Sequence, residues 1–273
     1  MHIQYKILPR LASLTNRELD FFLYIARYQD ANGTVVGVHY KDVCKQVEMC
    51  KQTFYNILFS LQEKEVISYV RNQDNDYDIT ICNNAAYDPK NPTGYINLNC
   101  VLFREKKFKQ LRAKEKLLLL DFMKITHSNR GIYVVGINVF YAKYKKMLGI
   151  SKRVIRYYLH SLRKYFAINV LKGKYYIAFQ ASKFQKIDKS GLRQRREYLA
   201  NVVCRRGGLK RIFKSNIDDV ATMIQQSEPL AIKRDMDILQ IMRLCIEKSL
   251  QEQILPLLKP KRVHMLMDIC LEK

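Results

Sequence analysis

The fold of this chain is decided by residues 51–61, KQTFYNILFSL, and by a related stretch at residues 152–162, KRVIRYYLHSL. In both stretches the apolar residues recur at helical spacing, so each predicts an amphipathic helix with one buried face and one polar face. Self-similarity of this kind is typical of a chain that contains two copies of one structural unit.

Shorter matches flank these two helices in the same order. Residues 14–18, LTNRE, match residues 111–115, LRAKE, and residues 35–38, VVGV, match residues 134–137, VVGI. The spacing between the copies grows only from 97 to 99 to 101 residues, which indicates short loop insertions. Thr15 and Glu18 also have the spacing of a capping box, which predicts that a helix starts there.

Each copy predicts a helix, a strand, two helices and a β-hairpin. In the first copy we expect helices near residues 15–28, 40–47 and 51–64, and strands near 34–38, 66–71 and 77–82. In the second copy we expect helices near residues 113–126, 139–148 and 151–166, and strands near 132–137, 168–171 and 175–179. This is the order of elements in a winged helix. The second helix of its helix-turn-helix enters the DNA major groove, and its β-hairpin, called the wing, contacts the DNA backbone.

The predicted fold class is therefore α+β and mainly helical, with two tandem winged helix-turn-helix domains followed by a small helical C-terminal region. Pro89 and Pro92 lie in a polar stretch and indicate a linker. The predicted boundaries are a first domain at residues 1–88, a linker at 89–94, a second domain at 95–182 and a helical C-terminal region at 183–273. A homodimer, formed through the first domain or the C-terminal helices, is a further expectation.

The positive charge of the chain is unevenly distributed. The net charge is +23, but residues 1–90 hold 10 Lys or Arg and 11 Asp or Glu, whereas residues 91–180 hold 19 and 3. Solubility alone does not require that the positive charge be absent from one domain and concentrated in the next. The imbalance therefore favours a polyanion as the partner of the second domain, with double-stranded DNA as the expected one.

The second copy supplies most of the candidate DNA-binding residues. We expect Ser151 to cap the second-copy recognition helix and its cationic face to meet the major groove, where arginine grips guanine. The two lysines of the predicted wing, Lys172 and Lys174, would neutralise DNA phosphates. The candidates of this copy are Ser151, Lys152, Arg153, Arg156, Tyr157, His160, Lys172 and Lys174.

The first copy is ambiguous. Its candidate base readers are Lys51, Gln52, Tyr55 and Asn56, because glutamine and asparagine pair well with adenine. Its wing, however, carries Asp74, Asp76 and Asp78, which we expect to repel phosphates. The first copy is therefore expected to make weaker DNA contacts or protein contacts.

A second basic block follows the two copies. A helix is expected near residues 190–204, and two readings stay open: an arm along the DNA backbone, or a flexible basic connector. Its candidate cations are Arg193, Arg195, Arg196, Arg205 and Arg206.

The sequence holds no recognisable catalytic or metal motif. It has no phosphate-binding loop, no H-E-x-x-H or G-x-S-x-G pattern and no histidine pair at ligand spacing. Its seven cysteines are odd in number and none has C-x-x-C spacing, which argues against a disulfide framework or a zinc site. We therefore expect no enzyme activity, metal or cofactor. Without an apolar run of spanning length or a signal peptide, we expect a cytoplasmic protein that does not bind membranes.

Over residues 5–180 the architecture resembles the replication initiator proteins of bacterial plasmids and phages. In that family the first winged helix often mediates dimerisation and the second makes most contacts to origin repeats. The resemblance therefore implies sequence-specific binding of double-stranded DNA and a role in DNA replication. Two alternatives stay open: a bacterial transcription regulator with two winged-helix modules, and a scaffold protein whose winged helices contact other proteins.

Overall fold

The computed structural model describes residues 1–72, 75–86, 94–98, 102, 105–180, 189–206 and 240, with the backbone alone at 189–192 and 196. The chain divides into two compact units. The first unit comprises Met1–Arg71 and Tyr77–Asp188, and the second comprises Asn72–Asp76 and Lys189–Lys273. The fold class is α+β, because helices are combined with small antiparallel sheets.

The first copy of the repeat contains three helices and three strands in the predicted order. They are α2 (Asn16–Ile25), β2 (Thr34–Val38), α3 (Tyr40–Val47), α4 (Lys51–Glu63), β3 (Ile67–Arg71) and β4 (Tyr77–Ile81). Two short elements precede them: β1 (His2–Gln4) and α1 (Leu8–Leu11).

The second copy has the same succession. Its elements are α6 (Ala113–Ser128), β6 (Ile132–Gly136), α7 (Ile137–Leu148), α8 (Lys152–Leu162), β7 (Phe166–Leu171) and β8 (Lys174–Phe179). Two short elements precede this copy as well: β5 (Tyr95–Asn97) and α5 (Lys106–Lys109). In the second unit, α9 spans Lys189–Arg206.

The two copies also share their sheet topology. The strand order is β2-β4-β3 in one and β6-β8-β7 in the other, and every neighbouring pair is antiparallel. In each sheet the hairpin is therefore extended by the strand that follows the first helix of the copy. The internal repeat predicted from short sequence matches is thus present in the three-dimensional arrangement.

One buried polar contact is repeated between the copies. Ser60 on α4 donates a hydrogen bond to Glu18 on α2, with 2.5 Å between the oxygens, and Ser161 on α8 donates to Glu115 on α6 at 2.6 Å. Both glutamates are buried and occupy the third position of their helices. Each pair ties the first helix of its copy to the helix after the turn. In the first copy Lys64 adds an ion pair to Glu18 at 2.6 Å.

The glutamates also cap their own helices. Glu18 accepts a hydrogen bond from the backbone N–H of Thr15, and the Thr15 hydroxyl accepts one from the backbone of Glu18. The capping box predicted at this position is confirmed. In the second copy Glu115 likewise accepts from the backbone N–H of Arg112 at 2.8 Å.

Aromatic side chains fill the core of the second copy. Phe122 on α6 lies edge-on to Phe166 and Tyr144, with ring centroids 5.4 and 5.7 Å apart, and all three residues are fully buried. The hydroxyl of Tyr144 donates to Asp121 at 2.7 Å. Burial and the neighbouring Asp121 carboxylate raise the pKa of Tyr144, so the phenol stays protonated.

The two copies contact each other within the first unit. The Asn16 side chain accepts a hydrogen bond from the backbone N–H of Ala113 at 2.6 Å. The N-termini of α2 and α6, the first helices of the two copies, are therefore in contact. Lys116 on α6 pairs with Asp20 on α2 at 2.5 Å. β1 and β5 add a two-stranded sheet in which Ile3 lies opposite Ile96.

Several predicted boundaries needed correction. Helix α7 begins at Ile137 and not at 139, because Gly136 has extended backbone angles and the helix follows it directly. The second hairpin is longer than expected at both strands. Residues 89–93, Asp74 and most of 207–273 lie outside the described residues, so the domain boundaries and the helices expected at 215–273 stay predictions. Among the described helices, none is long and apolar enough to span a bilayer.

Candidate nucleic-acid interface

Helix α8 begins directly after Ser151, the residue that the sequence predicted as its cap. Gly149 ends α7 in the left-handed region, with φ of 61°, where glycine has no steric penalty. Ser151 then caps α8, because its hydroxyl accepts a hydrogen bond from the backbone N–H of Val154 at 3.4 Å. The predicted cap is confirmed, and it fixes where the exposed face of the helix starts.

The two faces of α8 differ sharply. Ile155, Tyr158, Leu159 and Leu162 are buried. The other face carries the predicted candidates, and all of them are exposed: Lys152, Arg153, Arg156, Tyr157 and His160. Because the buried stripe fixes the rotation of the helix, these five side chains share the solvent side.

A tyrosine from the preceding helix orients two of these cations. The Lys152 ammonium lies 4.8 Å from the centroid of the Tyr141 ring, within the range of a cation–π interaction. Arg156 Nε donates to the hydroxyl of the same Tyr141 at 3.3 Å. Tyr141 is therefore a positioning residue that the search for cationic residues missed.

The network continues into the hairpin. The hydroxyls of Tyr141 and Tyr175 are 2.7 Å apart, and Tyr175 belongs to β8. Burial, followed by the hydrogen bond to Tyr141, raises the pKa of Tyr175 to about 12, so the Tyr175 hydroxyl remains protonated near pH 7. Through Arg156 and this hydroxyl pair, α8 is thus connected to the hairpin of the second copy.

The hairpin of the second copy presents its two lysines to solvent. Lys172 and Lys174 are both exposed. Leu171 pairs with Lys174, so the turn consists of Lys172 and Gly173, which have φ of 45° and 70°. Two left-handed residues in a two-residue turn fit the type I′ hairpin. Lys174 is therefore the first residue of β8 and not part of the turn.

The first copy repeats part of this arrangement. The Lys51 ammonium lies 4.9 Å from the centroid of the Tyr40 ring, and Tyr40 precedes Tyr141 by the same 101 residues that separate Lys51 from Lys152. This equivalence is the sequence signal by which Tyr141 could have been found.

The remaining first-copy candidates contact one another or the core. Gln52 donates to the side chain of Asn56 at 2.9 Å. Tyr55 is half-buried, with its ring centroid 6.4 Å from that of Tyr77. The exposed face of α4 therefore carries one cation at its N-terminus, followed by neutral groups and by Glu63 at its C-terminal end.

The carboxylates near the first hairpin are engaged inside the protein. Within the second unit, the buried Asp76 accepts hydrogen bonds from Arg206 at 2.8 Å and Arg205 at 3.1 Å. Burial raises the pKa of Asp76, but the hydrogen bonds and charge of the two arginines outweigh it and hold the pKa below its usual range. Asp78 accepts from the backbone N–H of Gly37 at 2.7 Å. The expectation that Asp76 repels phosphates therefore needed correction, because two arginines pair with it. A neutral backbone donor does not cancel the charge of a carboxylate, so for Asp78 the expectation stays a prediction.

The basic residues of α9 differ in their exposure and in their ion-pair partners. Arg205 and Arg206 belong to the basic block for which a DNA-backbone arm and a flexible connector both stayed open, and in the structure both side chains pair with Asp76. Arg193 is exposed and pairs with Glu197 at 3.1 Å. Arg195 is half-buried, and the side chain of Arg196 lies outside the described residues.

No group of three or more His, Cys, Asp or Glu side chains is arranged to hold a metal ion in the part of the chain that the structure describes. Cys44, Cys50, Cys82 and Cys204 form no disulfide with one another. No protein-family model, curated protein or solved structure matches the chain.

Proposed function

We propose that the chain binds double-stranded DNA through two tandem winged-helix modules, and that the second module makes most of the contacts. The observation that carries the proposal is the exposed face of α8, where cationic and aromatic side chains stand opposite a buried apolar stripe. The shared order of helices and strands in the two copies supports the assignment of both as winged helices.

In this proposal α8 enters the major groove. Arg153 and Arg156 are the base readers, since a guanidinium can donate two hydrogen bonds to the O6 and N7 atoms of guanine. Lys152 lies at the N-terminus of α8, where the helix dipole also favours a phosphate. Tyr141 holds Lys152 and Arg156 in place before DNA arrives, which lowers the entropy lost on binding.

The wing contributes affinity without sequence information. Lys172 and Lys174 stand on either side of Gly173 and would each neutralise a backbone phosphate. The first module has fewer exposed cations on its equivalent helix, so its contacts are weaker. We further propose that the role is that of a plasmid- or phage-type replication initiator, because the charge is concentrated in the second module.

The direct test is retention of duplex DNA by the full chain. A library of random duplexes is passed over the immobilised protein at about 50 mM salt, where phosphate contacts are strongest. The proposal predicts retention and enrichment of particular sequences. Negligible retention would contradict it and favour the protein-scaffold alternative.

The enriched sequences separate the two DNA-binding roles. Iterated direct repeats are expected for an initiator, because several copies bind side by side at an origin. A single inverted repeat near a promoter is expected for a transcription regulator, because protein two-fold symmetry is mirrored in the site. The second result would overturn the replication role while leaving DNA binding intact.

A further inference from the structure

A cleft of about 510 Å³ lies between the two copies within the first unit. One wall is formed by α2 together with the C-terminal end of α3, and the other by α5 and the start of α6. Its size is in the range of sites that bind small organic molecules. None of the proposed DNA-binding residues lines it, so a ligand of the cleft would bind apart from the proposed DNA interface.

The charge of the cleft is strongly positive. Its lining includes five cationic side chains and two carboxylates. Lys116 is only 3% exposed and is already paired with Asp20, and Arg17 donates to the backbone carbonyls of Val47 and Glu48 at 3.0 and 2.8 Å. These contacts leave three other cations to account for: Arg27, Lys106 and Lys109.

These three cations form no ion pair with any residue that the structure describes. Lys106 and Lys109 are exposed on α5 at the rim of the cleft. Arg27 is half-buried, and its guanidinium carbon lies 5.5 and 5.2 Å from the ring centroids of Tyr24 and Tyr28. The two rings thus hold the guanidinium in place.

The hydrogen bonding of Arg27 is incomplete. Its Nη2 donates to the Tyr28 hydroxyl at 2.8 Å, but its Nε is buried and has no hydrogen-bond partner among the described residues. The buried Nε itself is out of reach of a ligand in the cleft. Because no carboxylate among the described residues pairs with Arg27, an anion is the ligand whose charge complements this side chain.

The rest of the lining is mixed, with the polar side chains of Gln46 and Gln110 beside apolar ones. The apolar and aromatic side chains that line the cleft beside the cations are Leu23, Val47, Phe108 and Tyr24. A free inorganic anion would leave this surface in contact with water. The lining therefore fits a molecule that has an anionic group at one end and an apolar or aromatic body at the other.

We propose that this cleft binds a small organic phosphate. A phosphate monoester carries close to two negative charges at neutral pH, which matches several converging cations better than one carboxylate does. Arginine can bind two phosphate oxygens at once. Because the walls come from both copies, the ligand would bridge them.

The test uses AMP as the probe, titrated calorimetrically into the full chain without DNA. We expect AMP to bind with a Kd below about 1 mM, and adenosine and inorganic phosphate to bind at least about tenfold more weakly. Because the assay contains no DNA, its failure would be distinct from failure of the proposed DNA binding.

Two variants locate the site, and one neighbouring residue provides the control. Arg27→Gln and Lys109→Gln should each weaken AMP binding by about tenfold or more, which corresponds to loss of one charged contact. Lys107→Gln removes the same charge from the same helix, but Lys107 does not line the cleft and should leave the affinity unchanged. Lys109 is exposed, so its replacement leaves folding intact even if Arg27→Gln does not.

Three results would overturn this proposal. The first is no heat of AMP binding at millimolar concentration. The second is an equal loss of affinity in Lys107→Gln and Lys109→Gln. The third is an affinity for a short polyglutamate peptide that equals the affinity for AMP, because it would indicate a protein partner instead of a small phosphate.

Discussion

Replacing both Arg153 and Arg156 by alanine is expected to weaken binding to the selected duplex on the order of 100-fold, since two base-reading arginines contribute roughly 1–3 kcal/mol each. Lys51→Ala in the first copy is expected to cost less than about fivefold, the scale of one solvent-exposed phosphate contact. Fluorescence anisotropy with a labelled duplex measures all three affinities. The difference follows from the cationic face that α8 has and α4 lacks.

Folding has to be monitored in this comparison. Arg153 is exposed, but Arg156 also donates to Tyr141, so the double variant could lose some positioning of the helix. Circular dichroism and the Tm of each variant provide this control. Equal losses of affinity in the double variant and in Lys51→Ala would refute the unequal division of labour between the copies.

Glu18→Gln is expected to destabilise the fold by about 3 kcal/mol at pH 7. Burial raises the pKa of Glu18, but hydrogen bonds from Lys64, Ser60 and Thr15 outweigh it and lower the pKa from 4.5 to about 2. A carboxyl whose pKa is lowered on folding stabilises the native state above its unfolded pKa, and each pKa unit corresponds to about 1.4 kcal/mol.

The pH dependence of this difference provides its own check. Stability contributed by Glu18 is fully present above pH 4.5 and is lost as the pH falls towards 2. Urea unfolding should therefore show a gap between wild type and Glu18→Gln that shrinks to about half at pH 3. A gap of the same size at both pH values would show that the ionised carboxylate is not what stabilises this site.

An exposed glutamate serves as the matched control. Glu65 also forms an ion pair, with 3.0 Å between its carboxylate and Arg10, but its side chain is 75% exposed. Surface pairs of this kind contribute about 0–1 kcal/mol. Glu65→Gln should therefore change the free energy of unfolding much less than Glu18→Gln does.

The repeated units were accessible from sequence because their signals are local. Helical spacing of apolar residues, the capping box at Thr15 and the cap at Ser151 each depend on a few neighbouring residues, and the structure contains all three. Comparing the copies strengthened these predictions. The same comparison could have identified Tyr40 and Tyr141 as equivalent positions that carry the same cation–π contact.

Contacts between residues far apart in the chain could not be predicted from local sequence patterns. Asp76 was assigned as a surface charge, but its partners Arg205 and Arg206 follow it by about 130 residues. The pairing of β1 with β5 joins residues more than 90 positions apart. No local pattern encodes such pairs, because they depend on how the whole chain folds back on itself.

The measurement that tests the central claim most directly is the salt dependence of duplex affinity. Each phosphate contact contributes about 0.9 to the slope of log K against log salt concentration. Replacing Lys172 and Lys174 by glutamine should therefore lower the magnitude of the slope by about 2. The same change at Lys41 and Lys45, two exposed lysines on α3 of the first copy, should lower it by less than about 1. An unchanged slope in the Lys172/Lys174 variant, or an equal decrease in the control, would contradict DNA binding through the second copy.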